Sequence, residues 1–167
     1  AERYWLRRLL KAMRRPGLKP LVEVGLQGKS LYGKHWSLGR GRVPSERARW
    51  DSVYLPGRNL LLLSLAGTFC AQRQIGNIAI GTLEGNPFAD ASESFYEEME
   101  VVFRRLFGPI RVLAPLRHLH KNEVVGRAAG VPIELTFSCI DPRGVRPCGS
   151  CTKCYERRTG ISGLRPS

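Results

Sequence analysis

The sequence predicts an α/β fold built on a parallel sheet, ending in a C-terminal metal-binding excursion. Three observations carry this. Apolar strand-like runs ("IGNIAIGT", "IRVLAPL") alternate with helical segments, the order that gives a parallel sheet with helical crossovers. The run "LLLLSLAGTFCA" has leucines facing every direction, as a helix buried on most sides does. Four of the five cysteines lie between Cys139 and Cys154.

The elements follow in order. "AERYWLRRLLKAMRRPG" reads as a helix, with Tyr4, Trp5, Leu9, Ala12 and Met13 at helical spacing and Pro16-Gly17 as its stop. "LKPLVEVGL" (18–26) reads as a short strand. Residues 27–51 are rich in Gly, Ser and Arg without a period, the texture of a long binding loop or lid. The leucine-rich helix follows "VYLPGRN", and "IGNIAIGT" is a buried strand. Residues 92–107 form an amphipathic helix with Phe95, Tyr96, Met99, Val102, Phe103, Leu106 and Phe107 on one stripe, and Ser94 with Glu97 fits a capping box. "IRVLAPL" is the next strand, and "KNEVVGRAAG" is a short helix closed by Gly130. The domain organisation expected is residues 1–137 as the α/β body and 138–167 as a zinc-binding segment packed on it.

Charge and composition bound the function. There are 27 Lys+Arg against 14 Asp+Glu, a net +13, so the chain attracts anions. The cations are scattered along the sequence, which argues only weakly for a nucleic-acid groove. No long uncharged apolar run suggests a membrane span, and the first residues lack a secretory apolar core. The expected compartment is the cytoplasm, where clustered cysteines point to metal before disulfides.

Cys139, Cys148, Cys151 and Cys154 follow C-x8-C-x2-C-x2-C. Two-residue gaps let a turn aim successive sulfurs at one point, and Gly149-Ser150 allows the bend. Four thiolates complete a closed tetrahedron around Zn²⁺, a structural site. Lys153, Arg157 and Arg158 stand nearby to offset its negative charge. An iron–sulfur cluster is the rival, although the C-x3-C-P continuation of a ferredoxin run is absent. Cys70 reads as a core residue.

The order "VYLPGRN", "IAIGT", "APLRHLHKNEVV", "GVPIELTFSC", "PCGSCTKC" resembles the 7-cyano-7-deazaguanine synthase (QueC/ExsB) family from about Lys19 onward. The resemblance implies a Rossmann-like sheet of the adenine-nucleotide α-hydrolase, PP-loop type. It implies ATP-dependent conversion of 7-carboxy-7-deazaguanine and ammonia to the nitrile in queuosine biosynthesis, a carbon–nitrogen ligase reaction. A structural Zn²⁺ on the four cysteines, ATP with Mg²⁺ as cosubstrate, and a homodimer are implied with it. So is an S-G-G-x-D-S phosphate loop, which these 167 residues lack. The expectation is that this loop precedes Ala1, and that the 167 residues alone do not turn over. The family's acidic, proline-containing substrate loop stands here as "GTLEGNPFADASESF", in different wording.

Several positions are candidates for contact with ligand. Arg58 and Asn59 open the leucine-rich helix, and Lys121 opens the short helix after a strand. These three are the expected catalytic residues, holding phosphate or carboxylate. The bland alternative makes Asn59 a cap. Gly81, Glu84, Asn86 and Asp90 lie beyond a strand end, where a carboxylate can accept N–H bonds from a guanine-like base. There the alternative is a plain turn, with Asp90 capping the next helix. His118 and His120 have no assigned role. Two other functions compete: another PP-loop ATP pyrophosphatase, tRNA-modifying or amide-forming, and a zinc-stabilised nucleic-acid or partner-binding module without ATP chemistry.

Overall fold

The computed structural model describes residues 1–38 and 41–162. The chain divides into two compact units, Ala1–Val53 with Val125–Ser167, and Tyr54–Val124.

The Tyr54–Val124 unit holds the sheet. Strands β1 (Asn77–Ala79) and β2 (Arg111–Leu113) pair in parallel, with Ile78 opposite Val112. Parallel strands need a crossover, and helix α4 (Glu93–Leu106) lies in the connection between them. Helix α3 (Arg58–Ala71) precedes β1 and packs on it. Leu63, Cys70, Ile78, Tyr96, Met99, Phe103, Ile110 and Val112 form the core. Cys70 is thus a core residue, as expected, and burial pushes its thiol up. Two polar contacts complete the packing. The Tyr96 hydroxyl donates to Thr82 Oγ1 at 3.1 Å, and Glu100 Oε1 accepts the Val112 N–H at 2.8 Å.

The unit formed by Ala1–Val53 and Val125–Ser167 carries helix α1 (Glu2–Met13), the one-turn helix α2 (Gly28–Tyr32) and helix α6 (Thr152–Ser162). Helix α5 (Lys121–Gly126) crosses the boundary between the units. Trp5 fastens α1: its indole N–H donates to Val145 O at 2.7 Å, and its ring stacks on Phe137 at 6.3 Å and 7°.

Four expectations are corrected. Residues 18–26 form no strand; Val22 and Val24 are 54% exposed, and no partner strand lies beside them among the described residues. Helix α3 is buried on one stripe, Asn59, Leu63, Gly67 and Cys70, while Leu60 and Leu62 are exposed. In α4 only Tyr96, Met99 and Phe103 are buried, and Val102, Leu106 and Phe107 face outward. The cap of α4 is Ser92, whose hydroxyl accepts the Phe95 N–H, instead of Ser94 with Glu97.

The stretch 27–51 also has more structure than a bare loop. Pro44 is buried, Ser45 bridges to Cys151, and the Glu46 N–H donates to Ser150 O at 3.1 Å. Residues 44–46 form a strap against the cysteine turn, and residues 39–40 of the stretch lie outside the described residues.

Candidate metal centre and candidate ligand loops

The four cysteines converge. Their sulfurs lie within 4.8 Å of one another, with Cys139–Cys148 at 3.6 Å, Cys139–Cys151 at 3.9 Å and Cys148–Cys154 at 4.0 Å. A disulfide would need about 2.05 Å, so all four are free thiols. With Zn–S near 2.3 Å, the edge of a tetrahedron of sulfurs is about 3.8 Å. The spacing therefore fits one tetrahedral ion, and a cluster of several irons would hold the thiolates farther apart.

Local chain chemistry builds this nest. Gly149 takes φ +82°, a left-handed conformation that glycine adopts without strain, and turns the chain between Cys148 and Cys151. The N–H groups of Cys148 and Asp141 donate to Cys139 Sγ at 3.2 and 3.4 Å, stabilising negative charge there. Burial raises the Cys148 thiol, but the Ser150 and Cys151 N–H groups and the adjoining thiols outweigh it and bring it to about 6. Burial pushes Cys154 up to about 12, with the neighbouring sulfurs adding to it, and burial also raises Cys139. Without a cation the nest favours the Cys148 thiolate and disfavours those of Cys139 and Cys154. A bound cation removes that conflict.

Each of the three flanking cations also has a bonding partner. Lys153 pairs with Glu156 at 2.6 Å. Arg157 donates to Thr136 Oγ1 and Ile133 O. Arg158 bonds Gly149 O and pairs with Glu46 at 3.0 Å. They tie the cysteine segment to its surroundings.

The other candidate residues all lie in Tyr54–Val124, in two groups. In the first, Gly57 occupies the N-cap of α3 and has no side chain to cap with. Asp90 supplies the missing acceptor: its Oδ2 takes the Asn59 N–H at 3.0 Å, while the buried Asn59 amide donates to Asp90 O at 2.9 Å. Asp90 thus caps α3, not the helix that follows it. Arg58 stands exposed beside this pair.

Asp90→Ala should therefore destabilise the unit by about 1–2 kcal/mol, lowering its melting temperature by several degrees, as circular dichroism would report. Asp90→Asn, which still offers an acceptor, should keep most of that stability.

In the second group, Glu84 sits beside the loop leading to Lys121. Its N–H donates to Leu119 O, and its carboxylate lies 3.6 Å from His120 Nε2. Glu123 Oε2 accepts the His120 N–H at 2.8 Å and begins α5 with a capping contact. Sequence reasoning assigned no role to His120 or Glu123; the glutamate three residues after His120 was the available signal. Asn86 Oδ1 accepts the Phe88 N–H at 3.1 Å, an Asx turn, and Gly85 takes φ +74°. Gly81 is exposed just after β1.

The family model for "Queuosine biosynthesis protein QueC" matches residues 21–164. The chain belongs to the QueC family. Its α/β body with a parallel sheet and its C-terminal four-cysteine group agree with that family's Rossmann-like PP-loop fold. A 7-cyano-7-deazaguanine synthase of Leptospira interrogans serogroup Icterohaemorrhagiae serovar copenhageni is 34% identical over 156 residues, covering 86% of this chain and 62% of the relative. A 7-cyano-7-deazaguanine synthase 1 of Desulfitobacterium hafniense is 35% identical over 121 residues, 71% of this chain and 54% of the relative. One from Anaeromyxobacter dehalogenans is 32% identical over 170 residues, 93% and 72%. The chain thus spans less than two thirds of the first two relatives' length. No helix among the described residues is long and apolar enough to cross a membrane.

Proposed function

We propose that the protein to which this chain belongs makes 7-cyano-7-deazaguanine from 7-carboxy-7-deazaguanine and ammonia, at the expense of ATP. The match of residues 21–164 to the QueC family carries this reading. In the first half-reaction the substrate carboxylate attacks ATP, releasing pyrophosphate and forming an acyl adenylate. Ammonia displaces AMP and gives the amide. The amide oxygen then attacks a second ATP, releasing pyrophosphate and one N–H proton to give an O-adenylated imidate, and loss of AMP with the remaining N–H proton leaves the nitrile.

The residues described would position and neutralise charge. Exposed Arg58 offers a planar fork for a phosphate or carboxylate. Lys121 offers a point charge, and Mg²⁺ accompanies the ATP phosphates. Glu84 accepts N–H bonds from the guanine-like edge, within a loop turned by Gly85 and Asn86, and Gly81 leaves open space for a ligand to approach the backbone. Asn59 and Asp90 act through each other to hold the start of α3, and so Arg58, in place. Cys139, Cys148, Cys151 and Cys154 hold a Zn²⁺ ion, which organises segment 138–167 and takes no part in the chemistry. A cytoplasmic homodimer is the expected assembly.

The test uses the complete gene product and, separately, the 167 residues, each with the carboxylate, ATP and ammonium. Mass spectrometry should find nitrile and AMP with the complete product only. Absence of nitrile from the complete product sinks the reading, and nitrile from the 167 residues sinks the requirement for a phosphate loop.

A further inference from the structure

The basic residues look scattered along the sequence, but the fold sorts them. Ala1–Val53 with Val125–Ser167 contains 20 Lys+Arg and 7 Asp+Glu, whereas Tyr54–Val124 contains 7 of each. The entire net +13 therefore belongs to the cysteine-bearing unit. A Zn²⁺ on four thiolates would carry −2 and still leave roughly +11. Fifteen of those 20 cations are arginines, the side chain whose fork matches phosphate.

The charge is densest on α1 and its end, with Arg3, Arg7, Arg8, Lys11, Arg14 and Arg15 against Glu2. The first four of these cations, with Tyr4, line one open concave surface. Glu23 pairs with Arg3 and Arg7 at 2.8 and 2.6 Å, fixing their side chains while neutralising only one charge. Arg8 lies over Tyr4, its guanidinium 5.6 Å from the ring centroid, and bonds the Tyr4 hydroxyl. Tyr4 is 42% exposed. Helix α6 presents the same pairing, Arg158 at 6.0 Å over the exposed Tyr155 ring.

We infer that this unit binds a single-stranded nucleic acid, its phosphates on the α1 cations and an unpaired base on Tyr4. An anionic membrane fits less well, because a helix that lies on lipid inserts its apolar face. Here that face is occupied: Trp5 stacks on Phe137, and α1 packs against the turn Ile133–Leu135. An acidic protein would use the charge but has no need of exposed rings held beside arginines. A strand with splayed bases uses both.

The experiment is fluorescence anisotropy of labelled oligouridylate with the zinc-loaded 167-residue chain. If about four phosphates are neutralised, raising salt from about 50 to about 200 mM should weaken binding about fiftyfold. The double variant Arg8→Glu/Lys11→Glu should bind less tightly, with a visibly shallower salt dependence. Tyr4→Ala should lose about fivefold or more in affinity. Arg104→Glu/Arg105→Glu, exposed on α4 in the neutral unit, should leave binding unchanged. Unaltered zinc content and circular dichroism separate loss of binding from loss of fold. The inference is overturned by no saturable binding, by equal affinity for polyglutamate or for phosphatidylglycerol vesicles, or by equal loss in the α4 variant. A result in which Tyr4→Ala binds oligouridylate as tightly as the parent also overturns it. None of these outcomes depends on synthase activity.

Discussion

Replacing Cys151 by serine, or stripping metal with a strong chelator, is expected to unfold the basic unit and leave the Tyr54–Val124 core intact. The reason is what this unit lacks. Among the described residues, its buried apolar side chains are Pro44, Cys139, Cys151 and Cys154, with Val43, Phe137, Ile140 and Cys148 packed against the three thiols. A body of this size would ordinarily need a large apolar core; here the thiols themselves are the core. Structural zinc contributes about 10–16 kcal/mol in small metal-dependent domains, comparable to or above the roughly 5–15 kcal/mol stability of an ordinary domain. Removing one thiolate also leaves the strap at Ser45 without the turn it bridges to. Acid acts in the same direction. Metal-bound thiolates are deprotonated and the unfolded chain's thiols are not, so the unfolded state binds more protons and stability falls as pH falls. Segment-resolved hydrogen exchange is the measurement. Protection should vanish from 139–162 and persist across Leu63, Phe103 and Val112. Protection of 139–162 that survives complete metal removal would show that the thiols pack well enough unaided.

What could be read from the sequence depended on how local the signal was. The cysteine turn was legible because both its ligands and its glycine lie within a few residues of each other. Helix α4 was legible because its apolar period is regular, and strands β1 and β2 as short apolar runs, although only Ile78 and Val112 in them are buried and the expected cover on both faces is not found among the described residues. The stretch 18–26 carries an alternating pattern too, but a strand is made by its neighbour's hydrogen bonds, and alternation does not supply a neighbour. Leu60 to Leu63 are chemically alike, so composition could not say which one faces the core; Gly67 and Cys70, at helical spacing from Leu63, mark that face. The partnership of Asn59 with Asp90 spans 31 positions, beyond any local pattern. The charge looked diffuse because the unit that holds it is made of two separate segments of chain.

Phe103→Ala is expected to cost the Tyr54–Val124 unit about 3–5 kcal/mol, and Gly67 explains why the site tolerates so little. Phe103 is 1% exposed, and its ring lies where a Cβ on Gly67 would be, with Cε1 and Cζ both far inside contact distance. Helix α3 and the ring of α4 approach closely because residue 67 has no side chain. Two effects oppose each other in Gly67→Ala. Helix propensity favours alanine by about 1 kcal/mol. Overpacking against a ring that has no room to move costs about 1–3 kcal/mol. The clash is far inside contact distance, so the second effect should win and Gly67→Ala should lower the urea midpoint. Adding Phe103→Leu, which removes the offending ring carbons, should make the Gly67→Ala change less damaging than it is beside Phe103. The pair would then be coupled by at least about 0.5 kcal/mol. At roughly 0.05–0.15 kcal/mol per residue, a unit of this length has about 4–11 kcal/mol of stability, so Phe103→Ala removes a large share of it and should lower the urea midpoint more than Gly67→Ala does. A Gly67→Ala protein more stable than its parent would mean that the two helices can part without cost, and that the close approach is not what holds this core together.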